Sequence, residues 1–174
     1  DETARILEAA AARGMRPKIH ANELAESGGV EVGIAHGALS VDHLERAGQA
    51  QISALAASRT VATMLPGASF FLGMPYAPAR QALAAGCRVA LASDYNPGSS
   101  PSGDMRFVWA LGCIKMRLTP EQALDSVTAA GAAAMDLCAC IDAPVTIGAG
   151  KRAVVSTGIA IALPSKDYVA LLFA

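Results

Sequence analysis

The sequence lacks the features that mark several classes of protein. Its 174 residues carry a net charge of −1 and a pI near 6.3, so it has no basic excess of the kind that nucleic-acid-binding domains present. No apolar run reaches the roughly 18 residues that a membrane-spanning helix needs, and the chain does not open with a charged-then-apolar leader. We therefore expect no nucleic-acid partner and no membrane insertion. The composition is compatible with a small-molecule ligand.

The four cysteines form no CxxC pair and no disulfide-dense pattern. Cys87, Cys113, Cys138 and Cys140 are typical of small core residues in a reducing compartment. Cys138 and Cys140 flank a single alanine, but two thiols without a nearby His are a weak metal signal. The cysteines therefore favour a cytoplasmic protein without structural disulfides.

What the chain does contain is enough apolar sequence for a packed core, since 53% of its residues are hydrophobic and 17% are charged. Short apolar stretches alternate with helical ones, and this alternation predicts an α/β fold with a parallel sheet and right-handed crossovers. The predicted strands are 18–21, 39–42, 60–65 and 89–92. Such short strands fit a (β/α)8 barrel, of which four units are half. Since half a barrel has two open edges, we expect a longer polypeptide.

Helix signals lie around these strands. The predicted helices are 3–13, 30–38, 49–58, 77–85 and 104–115, followed by an Ala-rich helix pair that begins at Pro120. Thr119 has the residue type and position of an N-cap for this pair. Beyond it the sequence changes to Gly-punctuated β-type segments. We therefore expect residues 1–140 to form half of the barrel and residues 141–174 to belong to a small appended β-domain.

Polar side chains stand where three of the four predicted strands end. His20, His43 and Asp94 each terminate a strand, and Glu23 follows the first by three residues. Because the carboxyl ends of parallel strands share one face, all four side chains should converge there. His is the commonest metal ligand, and Asp can bind a cation and move a proton. The set predicts a mononuclear metal hydrolase.

Each residue also has a structural interpretation on its own. A His at a strand end can serve as a hydrogen-bonded structural residue, Asp94 can cap the following helix, and Glu23 can be an exposed or capping carboxylate. Their coincidence at successive strand ends favours a site. His36 lacks that placement, and its position near a helix end beside Gly37 predicts a surface role at the helix C-terminus.

Four motifs in this order resemble the second half of imidazolonepropionases: KIHANELAESGG, ALSVDHLE, VATMLPGASFFL and VALASDYNPGSSPSG. The resemblance covers about residues 18–151. It implies membership of the metal-dependent amidohydrolase superfamily, a (β/α)8 barrel with a small β-domain, a single zinc or iron ion, and a homodimer. It also implies hydrolysis of a ring carbon–nitrogen bond of 4-imidazolone-5-propanoate, giving N-formimidoyl-L-glutamate in histidine breakdown.

The resemblance further implies a role for each strand-end residue. His20 and Asp94 match metal ligands, and Asp94 also takes the proton of the attacking water. Glu23 matches a residue that contacts the substrate ring and helps to deprotonate the nucleophile, while His43 lies near the water and the developing oxyanion. The residues that match the substrate loop are Asn96, Gly98 and Ser99.

Two departures separate this chain from the family pattern. It has no HxH pair, which supplies two further metal ligands in the family, and two protein ligands alone should hold zinc poorly. After GAGKRA the sequence also diverges. We therefore expect the 174 residues alone to be inactive. Two alternatives stay open: a related amidohydrolase or deaminase acting on another cyclic amide or amidine, and a catalytically inactive domain that works through a partner.

Overall fold

The four predicted strands form one parallel sheet. In the computed structural model, which describes residues 2–128, each strand lies beside the next one along the chain, in the order β1-β2-β3-β4. The strands are β1 Lys18–Ala21, β2 Ser40–His43, β3 Val61–Met64 and β4 Val89–Leu91. The predicted sheet is therefore confirmed, and all four carboxyl ends lie along one edge.

Helices lie before, between and after the strands, as the alternation predicts. They are α1 Glu2–Ala11, α2 Gly29–Ala35, α3 Gln49–Ala56, α4 Pro66–Leu72, α5 Ala79–Ala84, α6 Met105–Ile114 and α7 Pro120–Val127. Thr119 is the N-cap of α7, because its hydroxyl accepts a hydrogen bond from the Gln122 backbone N–H at 3.2 Å. No helix within residues 2–128 has the length and apolar character needed to span a membrane.

The structure adds one helix that the sequence analysis does not predict. The predicted third strand ends at residue 65 and no helix is predicted directly after it, but Pro66 and Gly67 open α4. Proline suits the first turn of a helix because its missing N–H has no intrahelical partner there. A Cβ on Gly67 would lie 2.7 Å from the Ser100 hydroxyl, so glycine allows α4 to approach the loop that follows β4. The extra helix therefore packs close to a predicted site loop.

One side of the sheet packs against the helices. Ile19, Val41, Ala62 and Val89 are aligned by the strand register, and the last three are almost fully buried. A Cβ on Gly33 in α2 would approach Val41 Cγ1 to 2.7 Å, so this helix lies directly on the strands. We call this row the helix-facing side; it carries the main apolar core.

The opposite side of the sheet is more polar. Lys18 Nζ lies 3.8 Å from Asp42 Oδ1, and the Ser40 hydroxyl donates a 2.6 Å hydrogen bond to the same carboxylate oxygen. Val61 and Ala90 form a separate small apolar contact. Several predicted features lie outside the described residues: the β-domain at 141–174, the second helix of the pair, Cys138 and Cys140.

Candidate metal centre

Left-handed backbone marks the carboxyl edge of the sheet. The non-glycine residues with positive φ there are Asn22 at 53°, His43 at 82°, Leu44 at 72° and Asp94 at 51°. L-residues rarely adopt this conformation, and it persists only where the surrounding structure enforces it. Strict alternation along β2 would place His43 on the helix-facing side with Val41. The turn at His43 interrupts that alternation at the edge where the predicted site lies.

The structure brings His20, His43 and Asp94 together at this edge. One ligand atom of each lies within 4.8 Å of the others, and the two imidazole centroids are 4.8 Å apart. His20 is exposed within β1, His43 ends β2 and is 3% exposed, and Asp94 is half-buried after β4. Side chains from β1, from the end of β2 and from the loop after β4 thus converge, as the parallel topology requires.

Carboxylates flank the His43 ring on both of its nitrogens. Glu23 Oε2 lies 3.7 Å from Nε2, and Glu45 Oε1 lies 3.7 Å from Nδ1. Burial by itself would lower the pKa of His43, but Glu45, Glu23 and Asp94 outweigh that effect and raise the pKa above its ordinary value. The protonated, cationic ring is therefore favoured more than in water.

The loop after β4 is organised by the side chain of Asn96. Its amide donates to the Asp94 carbonyl at 2.8 Å and to the Ser99 hydroxyl at 2.7 Å, and its oxygen accepts from the Gly98 and Ser99 backbone N–H groups. The Ser99 hydroxyl in turn donates a 3.4 Å hydrogen bond to Asp94 Oδ2. The predicted substrate loop and the carboxylate of Asp94 are thus one hydrogen-bonded unit.

Gly98 differs from the other two predicted loop residues. Its φ is not positive, and a Cβ there would make only an ordinary 3.4 Å contact with Asn96 Oδ1. The loop conformation therefore does not itself require glycine. Close approach of a ligand, as the resemblance implies, stays a prediction.

Glu45, the last residue of the motif DHLE, is a site residue that the sequence pattern does not indicate. Its side chain is 1% exposed and accepts a 3.1 Å hydrogen bond from the Ser69 hydroxyl in α4. The available signal was an acid two residues after a strand-end His, separated from it by the buried Leu44. Burial of that acid depends on α4, which the sequence pattern did not indicate.

The donor atoms at this edge suit a single transition-metal ion. The His20 imidazole and the Asp94 carboxylate are the nitrogen and oxygen ligands that zinc and iron accept in proteins. Mononuclear catalytic zinc sites typically use three protein ligands, so these two leave at least one position for a ligand from the rest of the polypeptide. The residues present therefore fit the predicted metal by type and by proximity.

Solved structures define the class of the fold. An adenosine deaminase from Xanthomonas campestris with bound zinc matches 76% of this chain and 35% of its own, with a TM-score of 0.63 and 18% identity. An amidohydrolase from a Sargasso Sea sample matches 77% of this chain and 31% of its own, with a TM-score of 0.61 and 22% identity. The four-stranded sheet thus has the fold of part of a (β/α)8 barrel such as those of these proteins.

Sequence relatives narrow this class to one family. The chain is 52% identical over 136 residues to the imidazolonepropionase of Christiangramia forsetii. This alignment covers 78% of this chain and 33% of that protein. It is 42% identical over 174 residues, its full length, to the imidazolonepropionase of Flavobacterium johnsoniae, covering 41% of that protein. No family model matches the chain. The chain belongs to the imidazolonepropionase family and spans about a third to two fifths of the length of these relatives.

Proposed function

We propose that the polypeptide containing this sequence hydrolyses 4-imidazolone-5-propanoate to N-formimidoyl-L-glutamate in histidine degradation. The observation that carries the proposal is the convergence of His20, His43 and Asp94 at one sheet edge, in a chain 52% identical to an imidazolonepropionase. In this reaction the oxygen of water bonds to the ring carbonyl carbon, the carbon–nitrogen bond breaks, and the nitrogen leaves with a proton. The ring thereby opens to a single product that carries a new carboxylate and a formimidoyl group.

The metal ion in this proposal is zinc or iron, held by His20 and Asp94 together with ligands from the rest of the polypeptide. Such an ion supplies Lewis acidity, which lowers the pKa of water and polarises the scissile carbonyl. Ligand atoms of His20 and Asp94 lie within 4.8 Å of each other, which supports their sharing one ion.

The remaining strand-end residues move protons and bind charge. Asp94 takes the proton of the attacking water and delivers it to the leaving nitrogen. His43, favoured in its cationic form by the surrounding carboxylates, stabilises the charge that develops on the carbonyl oxygen. Glu23 contacts the substrate ring and assists deprotonation, a role supported by its 3.7 Å distance from His43 Nε2.

The loop after β4 holds substrate or product in this proposal. The Asn96 amide, the Ser99 hydroxyl and the Gly98 backbone N–H all make hydrogen bonds within the loop or to Asp94. A substrate contact by Asn96 would therefore replace one of these bonds. We further propose a cytoplasmic homodimer; the free Cys87 and Cys113 suit that location.

The test measures turnover by the complete polypeptide that contains this sequence. Loss of the imidazolone absorbance and appearance of N-formimidoyl-L-glutamate by mass spectrometry are expected from metal-loaded protein. Treatment with a chelator should stop both changes, and restoring zinc or iron should bring them back. Release of ammonia from a cyclic amidine without imidazolone turnover would favour the deaminase alternative. A stable, metal-free protein without turnover would favour the inactive domain.

A further inference from the structure

Glu45 is a buried acid that the proposed chemistry does not use. It follows β2 by two residues, and its side chain is 1% exposed. Removing a carboxylate from water is costly unless partners compensate for the lost hydration. The Ser69 hydroxyl donates a hydrogen bond to Glu45 Oε1 at 3.1 Å. A single hydroxyl is a small compensation for a buried charge, so the other neighbours of Glu45 decide its role.

The nearest ionisable neighbour is the His43 ring. Its Nδ1 atom lies 3.7 Å from Glu45 Oε1, an ion-pair distance that is longer than a hydrogen bond. Among the described residues, both His43 Nδ1 and Glu45 Oε2 are buried without a hydrogen-bond partner. The ring nitrogen can donate and the carboxylate accepts, and shortening the Nδ1–Oε1 distance by less than about 1 Å would form a hydrogen bond. Hydrogen bonds in unliganded active sites are often long and tighten when substrate binds.

We propose that Glu45 is a positioning residue that holds the proton on His43 Nδ1 and thereby directs Nε2 toward the substrate. This inference rests on the proposed function. The two ring nitrogens of His are distinct, and the partner of one fixes the role of the other. With Nδ1–H held by Glu45, Nε2 is the nitrogen on the side of Glu23, which lies 3.7 Å away. Ser69 holds the Glu45 carboxylate in place.

The local backbone supports this arrangement. His43 and Leu44 are consecutive residues with φ of 82° and 72°, so the chain turns sharply between the imidazole and the carboxylate. Leu44 is 1% exposed and anchors the turn in the core. The strain of two left-handed residues is the kind that functional sites retain. The turn therefore presents a strand-end His and a buried acid to each other.

The experiment compares Glu45→Gln and Ser69→Ala with wild type in the complete polypeptide. Glu8→Gln is the matched control, because it makes the same chemical change on the exposed surface of α1. The readouts are kcat, KM, metal content, and imidazole ¹⁵N spectra of the zinc-loaded protein. The His43 signals are assigned by their loss in His43→Gln. For wild type we expect a protonated Nδ1.

Glu45→Gln should lower kcat about 10- to 100-fold, the usual cost of losing the partner of a functional His. KM should stay within about twofold, because Glu45 does not contact substrate in this arrangement. The His43 nitrogen signals should show weaker protonation of Nδ1, and the metal content should not change. Ser69→Ala should move kcat and the signals in the same direction by less. Glu8→Gln should match wild type.

The inference is overturned if Glu45→Gln keeps both kcat and the His43 signals of wild type, or if wild-type Nδ1 carries no proton. An effect on KM alone would also overturn it. Should Glu45→Gln fail to fold, Ser69→Ala provides the same comparison. The nitrogen spectra separate the two proposals: a protein that does not hydrolyse the imidazolone but shows a Glu45-dependent Nδ1–H fails only the proposed function.

Discussion

The helix-facing side and the carboxyl edge of the sheet are built from the same four strands but differ in packing and in backbone conformation. On the helix-facing side, Val41 and Ala62 are fully buried and the backbone is regular. At the carboxyl edge, His43 and Asp94 have left-handed backbone. Buried polar atoms such as His43 Nδ1 also lack partners there among the described residues. One region gains stability from burial, and the other holds reactive groups at a cost in stability.

The two regions should respond differently to substitution. A change on the helix-facing side should alter the free energy of unfolding and leave the chemistry of the folded molecules unchanged. A change at the carboxyl edge should abolish chemistry with little loss of stability, because functional sites carry strain that substitution can relieve.

His20→Ala should remove the metal ion and the activity of the complete polypeptide. The loss of activity should exceed about 100-fold, because removing only the hydrogen-bond partner of a metal ligand already costs up to about that much. His36→Ala is the matched control, because His36 caps the end of α2 away from the carboxyl edge. Elemental analysis and the rate of imidazolone loss measure the effect. Equal metal content in the two variants would remove His20 from the ligand set.

Leu91→Ala should destabilise the protein by about 2–5 kcal/mol, because a fully buried side chain in β4 leaves a cavity when truncated. Leu124→Ala, which truncates a 54% exposed leucine in α7, should change stability by less than about 0.5 kcal/mol. Denaturant unfolding measures both. The folded fraction of Leu91→Ala should keep its metal. Loss of metal from Leu91→Ala protein that keeps wild-type stability would show that the two regions do not act separately.

Cys87 should react with an alkylating reagent at least about tenfold more slowly than Cys113. Its thiol is buried and donates to the Ile52 carbonyl at 3.4 Å, whereas Cys113 is only half-buried. Burial raises the pKa of the Cys87 thiol, so less of the reactive thiolate is present at any pH below that pKa. Peptide mass spectrometry distinguishes the two sites. Faster reaction at Cys87 would show that the helix-facing core opens readily.

Thr119→Ala should destabilise the protein by about 1 kcal/mol through loss of the α7 cap. The Thr119 hydroxyl accepts from the Gln122 N–H, and the Gln122 side chain accepts from the Thr119 N–H at 3.0 Å. Thr119→Ser keeps the hydroxyl and should stay close to wild type in thermal unfolding. An equal loss in both variants would mean that the methyl group, not the cap, stabilises this end of the helix.

Local signals made most of the fold predictable. Apolar strands, a Thr–Pro cap before α7 and short loops act within a few residues, so they identify the βα units and place His20, His43 and Asp94 at the strand ends. Parallel pairing then follows from the crossovers. The family resemblance added candidate roles that spacing alone does not provide.

Tertiary contacts made the rest unpredictable. The left-handed turn at His43 depends on how the buried Leu44 packs, and burial of Glu45 depends on Ser69 in α4, 24 residues further along the chain. The four hydrogen bonds of the Asn96 side chain likewise depend on the folded loop. No periodicity or cap residue reports such contacts.

The most direct test of the central claim is the rate of imidazolone hydrolysis by Asp94→Ala in the complete, metal-supplemented polypeptide. The claim is that a metal ligand and proton carrier at the end of β4 makes this edge catalytic. It predicts a loss of more than about 100-fold with unfolding stability close to that of wild type. Full activity of the Asp94→Ala protein would contradict it.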